Sequence, residues 1–261
     1  MEIKYTQIEN IYCKYFYPKN EIKNIVIAIH GFAGDKESSV IEAVAKELEN
    51  TTLVIAFDLP CHGEDNSNNV LNFAQCLNYL DTIICNTKSK YNNLPISIFA
   101  TSFGAYLFLN YLKNCDTNFE HIILRSPAIF MDDVFVNSIL RARNVSLNEL
   151  LSHNINLGYN KELLVDFKFL QDLKNNTLSN SKFSKHIDII QGDKDDVVSI
   201  KDNENFYKTN CSDYSLHYIK GADHRFKKAG ELEQILSIVK SIIICWIFWL
   251  YVNLISLKIV H

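Results

Sequence analysis

The chain has 261 residues, 48% hydrophobic and 21% charged, with only 8 Gly and 4 Pro. That balance excludes a disordered, collagen-like or low-complexity polypeptide and provides apolar surface for one large core. The net charge of −4 leaves no basic excess to neutralise phosphates, so nucleic acid is not an expected partner.

In chain order, the opening stretch carries no apolar run with a small-residue cleavage site, so no secretory signal is expected. Its loose alternation of Tyr and Ile over residues 3–17 predicts an antiparallel edge hairpin. The run Ile25-Val-Ile-Ala-Ile29 is too short for a helix and stops at His30-Gly31, which reads as a buried strand. Val40, Val44 and Leu48, with Ser39 and Glu42 spaced as a capping box, predict an amphipathic helix within 36–50. The alternation continues with strand 52–57, helix 70–87, strand 96–101, helix 103–114 and strand 121–125. It resumes with strand 187–191, a helix near 202–208, strand 215–219 and a helix from Glu231. Apolar strands alternating with helices imply an α/β fold, a mostly parallel, doubly wound sheet covered on both faces.

Residues 131–185 separate two of those strands and are too long for an ordinary crossover. One crossover helix with a loop is the simpler reading. The helical spacing of Phe135, Ile139 and Leu140, then Leu147, Leu150 and Leu151, then Leu163, Leu164, Phe167, Leu170 and Leu173 favours an inserted lid. The expected organisation is a core of 1–130 and 186–240, a lid of 131–185 and an apolar tail of 241–261. Seven scattered cysteines without a CxxC pair suggest reduced thiols and a cytoplasmic protein.

Open α/β sheets place their sites at the C-terminal ends of the strands. Ser102 stands where a strand gives way to a helix, between the small residues Ala100 and Gly104, as a tight strand-to-helix turn requires. A plain helix N-cap is the alternative role for this serine. A serine nucleophile needs a base, and that base needs an acid to fix its tautomer. His224 follows the last strand, and Asp195 follows the strand before it, with Asp193 as the alternative acid. The backbone N–H groups of Phe103, just after the serine, and Phe32, after the first parallel strand, are the expected oxyanion donors. His30 and His62 read as hydrogen-bonding loop anchors, and His121, His153, His186 and His217 as surface or strand residues. No metal-ligand spacing and no phosphate-binding glycine loop is present, so neither a metal nor a cofactor is expected.

The segments HGFAG, DLPCHGED, ATSFGAY, QGDKDDVV and GADHRF together resemble the α/β-hydrolase superfamily over about residues 22–240. They are most similar to bacterial carboxylesterases of the cinnamoyl/feruloyl-esterase type, with the monoglyceride-lipase and serine-aminopeptidase groups close by. The resemblance implies hydrolysis of a small-molecule acyl ester through an acyl-enzyme, with an inserted lid shaping the acyl pocket. The sequence departs from the usual pattern at Ala100, where the first glycine of the serine motif normally stands, and at Thr101, commonly histidine. A thioesterase or a small-peptide aminopeptidase would use the same residues. The aminopeptidase would add an acid for the substrate amine, for which Asp132, Asp133 and Asp166 are candidates. A catalytically silent binding protein is the remaining alternative.

The tail differs from all of this. Residues 242–252 are eleven apolar residues in succession, and Trp246 and Trp249 are the two tryptophans of the chain. As a helix, the stretch between Lys240 and Lys258 would span about 26 Å, short of a bilayer core of about 30 Å. Membrane association from Ile242 to Leu257, a packed helix or dimer contact, and an accidental terminus are the three readings. An anchor would leave the catalytic domain cytoplasmic.

Overall fold

The computed structural model describes residues 1–66, 70–115, 117–158 and 161–258, with 245–258 as helical backbone only. The chain opens with β1 (Glu2–Ile8) and β2 (Ile11–Tyr17), paired antiparallel through a turn in which Glu9 takes φ +54°. Then β3 (Asn24–Ile29), α1 (Ser39–Glu47), β4 (Thr52–Phe57), α2 (Phe73–Lys90), β5 (Ile96–Thr101), α3 (Phe103–Leu112) and β6 (Ile122–Arg125) alternate. The strands follow the predicted runs to within a residue, and those at the centre of the sheet do so because each is an apolar stretch that only the core can accept. β3 and β4 are buried at every position.

Helix ends are where the sequence expectation misses. α1 starts at Ser39 behind Ser38, whose side chain makes no capping bond, so the capping box of Ser39 with Glu42 does not form. α2 runs three residues later than expected at both ends. The Asn72 side chain accepts from the Gln75 N–H at its start, and Lys88 and Lys90 suit the negative end of the helix dipole at its close.

The insertion contains α4 (Met131–Val134), a π-helical segment (Phe135–Leu140), α5 (Leu147–Ser152), the two-stranded β7 (Ile155–Asn156) and β8 (Leu164–Val165), and α6 (Phe167–Asn175). A capping box of Ser146 and Glu149 opens α5, and Asp166 caps α6. The core resumes with β9 (Ile187–Gly192), α7 (Ile200–Asn210), β10 (Tyr214–Ile219) and α8 (Glu231–Lys258).

The eight-stranded sheet runs β1-β2-β4-β3-β5-β6-β9-β10, antiparallel over β1, β2 and β4 and parallel from β4 onward. This is the α/β-hydrolase fold. The strand order reverses between β3 and β5, which puts a crevice beyond their C-terminal ends. One face packs on α2, α3, α7 and the insertion, and the other on α1 and the start of α8, where Ile235, Val239 and Ile243 are buried. Ile242 and Ile244 lie partly buried against the same core, so the tail begins as a continuation of α8. For the remainder of the Ile242 to Leu257 stretch only the backbone is described, as the continuation of α8. Among the described residues no helix is long and apolar enough to cross a membrane.

Candidate active site

Ser102 joins β5 to α3 at φ +51°, ψ −112°, a backbone region that a side chain normally avoids at a cost of about 1–3 kcal/mol. The turn is over-determined. The Ser102 N–H donates to the Arg125 carbonyl at 2.9 Å, and its own carbonyl accepts from Ala105 and Tyr106 at 3.1 Å. Gly104 is what lets α3 approach, since a Cβ there would stand 2.4 Å from the His30 carbonyl oxygen and 2.8 Å from that of Ile29. Although Ser102 occupies the N-cap position, its hydroxyl makes no capping bond.

The hydroxyl is instead 3.1 Å from His224 Nε2. On its other side His224 Nδ1 lies 2.9 Å from Asp195 Oδ2 and 3.1 Å from Oδ1. A carboxylate only accepts, so Nδ1 carries the proton and Nε2 is left to accept from the serine. The Asp195 carboxylate is fully enclosed, and burial by itself would push its pKa up. The hydrogen bond and charge of His224 and the amides of Val198 and Val197 outweigh that and hold it below the usual value. Gln191 Nε2 donates to Asp195 Oδ2 at 2.7 Å, a contact that sequence reasoning missed. Gly192 keeps the two loops together, because a Cβ there would fall 2.3 Å from the Ala222 carbonyl oxygen. Asp193 accepts from the Gly221 N–H at 2.5 Å, and Asp196 from the His224 N–H at 3.4 Å.

Phe103 begins α3 with its N–H at the positive end of the helix, beside Ser102. Gly31 brings the loop after β3 to the same place, and a Cβ on it would be 3.4 Å from Ser102 Cβ. Among the described residues neither the Phe32 nor the Phe103 N–H donates to a protein acceptor. The Phe32 ring sits between Phe103, Phe135 and Phe169 at 5.7, 6.2 and 6.4 Å, which pins the loop to both the core and the insertion.

His30 and His62 have both ring nitrogens occupied. His30 Nε2 accepts from Leu59 and Nδ1 faces the Gly31 carbonyl, while His62 Nε2 accepts from Ala33 and Nδ1 faces the Pro60 carbonyl. Burial pulls His30 down to about 4, and burial with the neighbouring His30 pulls His62 down to about 3, so both are neutral ties between loops. Nearby, the buried Asp58 carboxylate accepts from the Lys36 N–H, Lys36 Nζ and the Glu64 N–H at 2.8–2.9 Å.

A cavity of about 950 Å³ opens over Ser102 and His224, large enough for a drug-sized ligand. Its far wall is the insertion, through residues such as Met131, Val134, Ile139 and Leu157. Sequence reasoning also missed its four arginines, Arg125, Arg141, Arg143 and Arg225. Asp132, Asp133 and Asp166 do not line it, and Asp166 is committed to capping α6. His121, His153, His186 and His217 also lie off it, and Cys61 lines a separate hollow of about 320 Å³. Among the described residues no group of His, Cys, Asp and Glu is arranged to hold a metal ion.

Residues 20–176 match the hydrolase family described as serine aminopeptidase, S33. A monoglyceride lipase homolog of monkeypox virus is 24% identical over 265 residues, covering 91% of this chain and 94% of that one. Among solved structures, Est1E from Butyrivibrio proteoclasticus with ferulic acid bound superposes with a TM-score of 0.76 at 19% identity, covering 91% of this chain and 96% of that one. A soluble variant of monoglyceride lipase from Saccharomyces cerevisiae, in complex with a substrate analog, gives 0.72 at 17% identity, covering 92% and 93%. At these identities the superpositions speak for a common fold.

Proposed function

Because this chain belongs to the serine aminopeptidase S33 family of α/β-hydrolases, we propose that it cleaves carboxylic esters through an acyl-enzyme on Ser102. The observation that carries the reading is the unbroken line from the strained Ser102 through His224 to Asp195. His224 Nε2 takes the serine proton as Oγ attacks the ester carbonyl carbon. The N–H groups of Phe32 and Phe103 receive the oxyanion, and Asp195 stabilises the imidazolium. The imidazolium then protonates the departing alcohol, leaving the acyl group on Ser102. Water enters, gives its proton to His224 and attacks the acyl carbon, and the serine leaves with that proton.

The insertion acts as the lid over the acyl group. An ester fits better than a peptide with a free amine, because Asp132, Asp133 and Asp166 do not line the cavity, and Asp196, which does, accepts from the His224 N–H. The lipase and esterase relatives point the same way. A fluorophosphonate probe tests the reading. Covalent labelling of the wild type, absent in Ser102→Ala, is the expected result, followed by turnover of short esters ahead of matched thioesters and aminoacyl amides. A folded wild type that neither labels nor turns over any of these would leave a binding role.

A further inference from the structure

The chain contains only four arginines, Arg125, Arg141, Arg143 and Arg225, against twenty-two lysines. All four arginines line the cavity over Ser102; among the described residues no lysine does, and Asp196 is the only acidic residue there. A molecule of net charge −4 thus carries a positive catalytic crevice. The choice of arginine is chemically specific. A guanidinium offers paired, planar donors that fit two oxygens of a carboxylate or phosphate, whereas an ammonium offers a point charge.

The four are placed differently. Arg125 ends β6 next to the serine turn, is buried, and stacks 4.6 Å over the Phe226 ring while donating to the Arg225 carbonyl. Among the described residues its Nε has no hydrogen-bond partner. Burial draws its pKa down to about 10, against the raising effect of Asp195 and Asp223, so it is still charged at neutral pH. Arg143 braces the insertion by donating to the Leu157 and Gly158 carbonyls. Arg225 directly follows His224, and Arg141 closes the π-helical segment. Both are exposed, and among the described residues neither side chain is held in an ion pair. Two tethered charges therefore line the cavity with two untethered ones, from the core side and from the insertion side.

We infer that the substrate is an anionic ester, one that carries a carboxylate or phosphate group which Arg141 and Arg225 grip while Ser102 attacks the ester. This rests on the ester-hydrolase reading above and narrows its substrate class.

Matched esters test it, using the wild type and the double variant Arg141→Gln/Arg225→Gln. Methyl butyrate is set against monomethyl glutarate, and 1-butyrylglycerol against 1-butyrylglycerol 3-phosphate, at about 20 mM salt where screening is weak. The expected result is a kcat/KM about tenfold or more higher for the charged member of at least one pair, shrinking to within about threefold in the double variant. The pair with the larger ratio identifies a carboxylate or a phosphate as the group held. Neutral esters turned over as well as both charged ones, or a preference that the double variant leaves intact, overturns the inference. Calorimetry on Ser102→Ala keeps it separate from the hydrolase reading. If the wild type takes no label and cleaves nothing, tighter binding of the charged esters that disappears with the arginines still upholds the anion site, and equal binding of charged and neutral esters removes it.

Discussion

Two enclosed carboxylates leave the sheet at the C-terminal ends of parallel strands, Asp58 after β4 and Asp195 after β9, and they serve different ends. Asp58 is closed off by Lys36, whose ammonium also reaches Glu64, and by two backbone amides. Asp195 is closed off by Gln191 and two amides, but its remaining partner is an imidazole whose far nitrogen meets Ser102. Burial and a cationic or potentially cationic partner are common to both. The difference is that lysine ends at its charge, while histidine passes from the carboxylate on one side to the Ser102 hydroxyl on the other. The same contrast separates His224 from His30 and His62, whose two nitrogens are spent on backbone groups.

The comparison breaks most sharply at Asp195. Asp195→Asn is expected to lower kcat by about 10⁴ with the melting temperature nearly retained, because the amide cannot hold the required imidazole tautomer. Steady-state kinetics beside a thermal melt checks this, and a loss under tenfold would move the acid's role elsewhere. Asp58→Asn should act in the opposite sense. Leaving the Lys36 ammonium without its buried partner is expected to cost about 3 kcal/mol of stability, with Glu64 offsetting part of the loss, while the kcat of the folded fraction stays within about threefold. Denaturant unfolding and active-site titration separate the two effects.

The histidine contrast has a pH signature. His30 and His62 are held neutral, with folded values of about 4 and about 3, whereas the unfolded chain binds protons there near the ordinary value of about 6.5. The unfolded state therefore takes up more protons between those limits. Stability is fully present above about pH 6.5 and declines as pH falls through the window toward 4 and 3. A melting temperature that is level from pH 7 down to pH 4 would contradict this, and His62→Gln should flatten the slope. The smallest expected effect is at Gln191. Gln191→Ala removes one of the hydrogen bonds on Asp195 and leaves the Val197 and Val198 amides, so kcat/KM should fall about three- to tenfold. A loss near that of Asp195→Asn would mean that Gln191 alone orients the acid.

Legibility followed the range of the interactions. The strands that build the crevice read directly, since Ile25 to Ile29 or Ile96 to Ala100 leave no polar face for solvent. Helix starts read poorly at α1, where the adjacent Ser38 and Ser39 compete for the cap, and at α2, which begins three residues late behind Asn72. The interior of the insertion was legible only as helical spacing. Its π-helical segment and its β7–β8 pair had no local signature, and the end of α6 is tied to the core by the Tyr106 hydroxyl donating to the Leu173 and Asn176 carbonyls.

By itself, the sequence determined the α/β layering and brought the candidate groups Ser102, Asp195 and His224 to strand ends, because apolar periodicity and small residues at a tight turn are local properties. The tertiary structure alone decided that a histidine 122 residues away stands 3.1 Å from the serine, and that Asp195 instead of Asp193 faces it. It alone gathered four arginines, scattered over a hundred residues of chain, around one cavity. Those outcomes depend on where parallel strands lie beside one another and where the insertion folds back, and no local pattern encodes either.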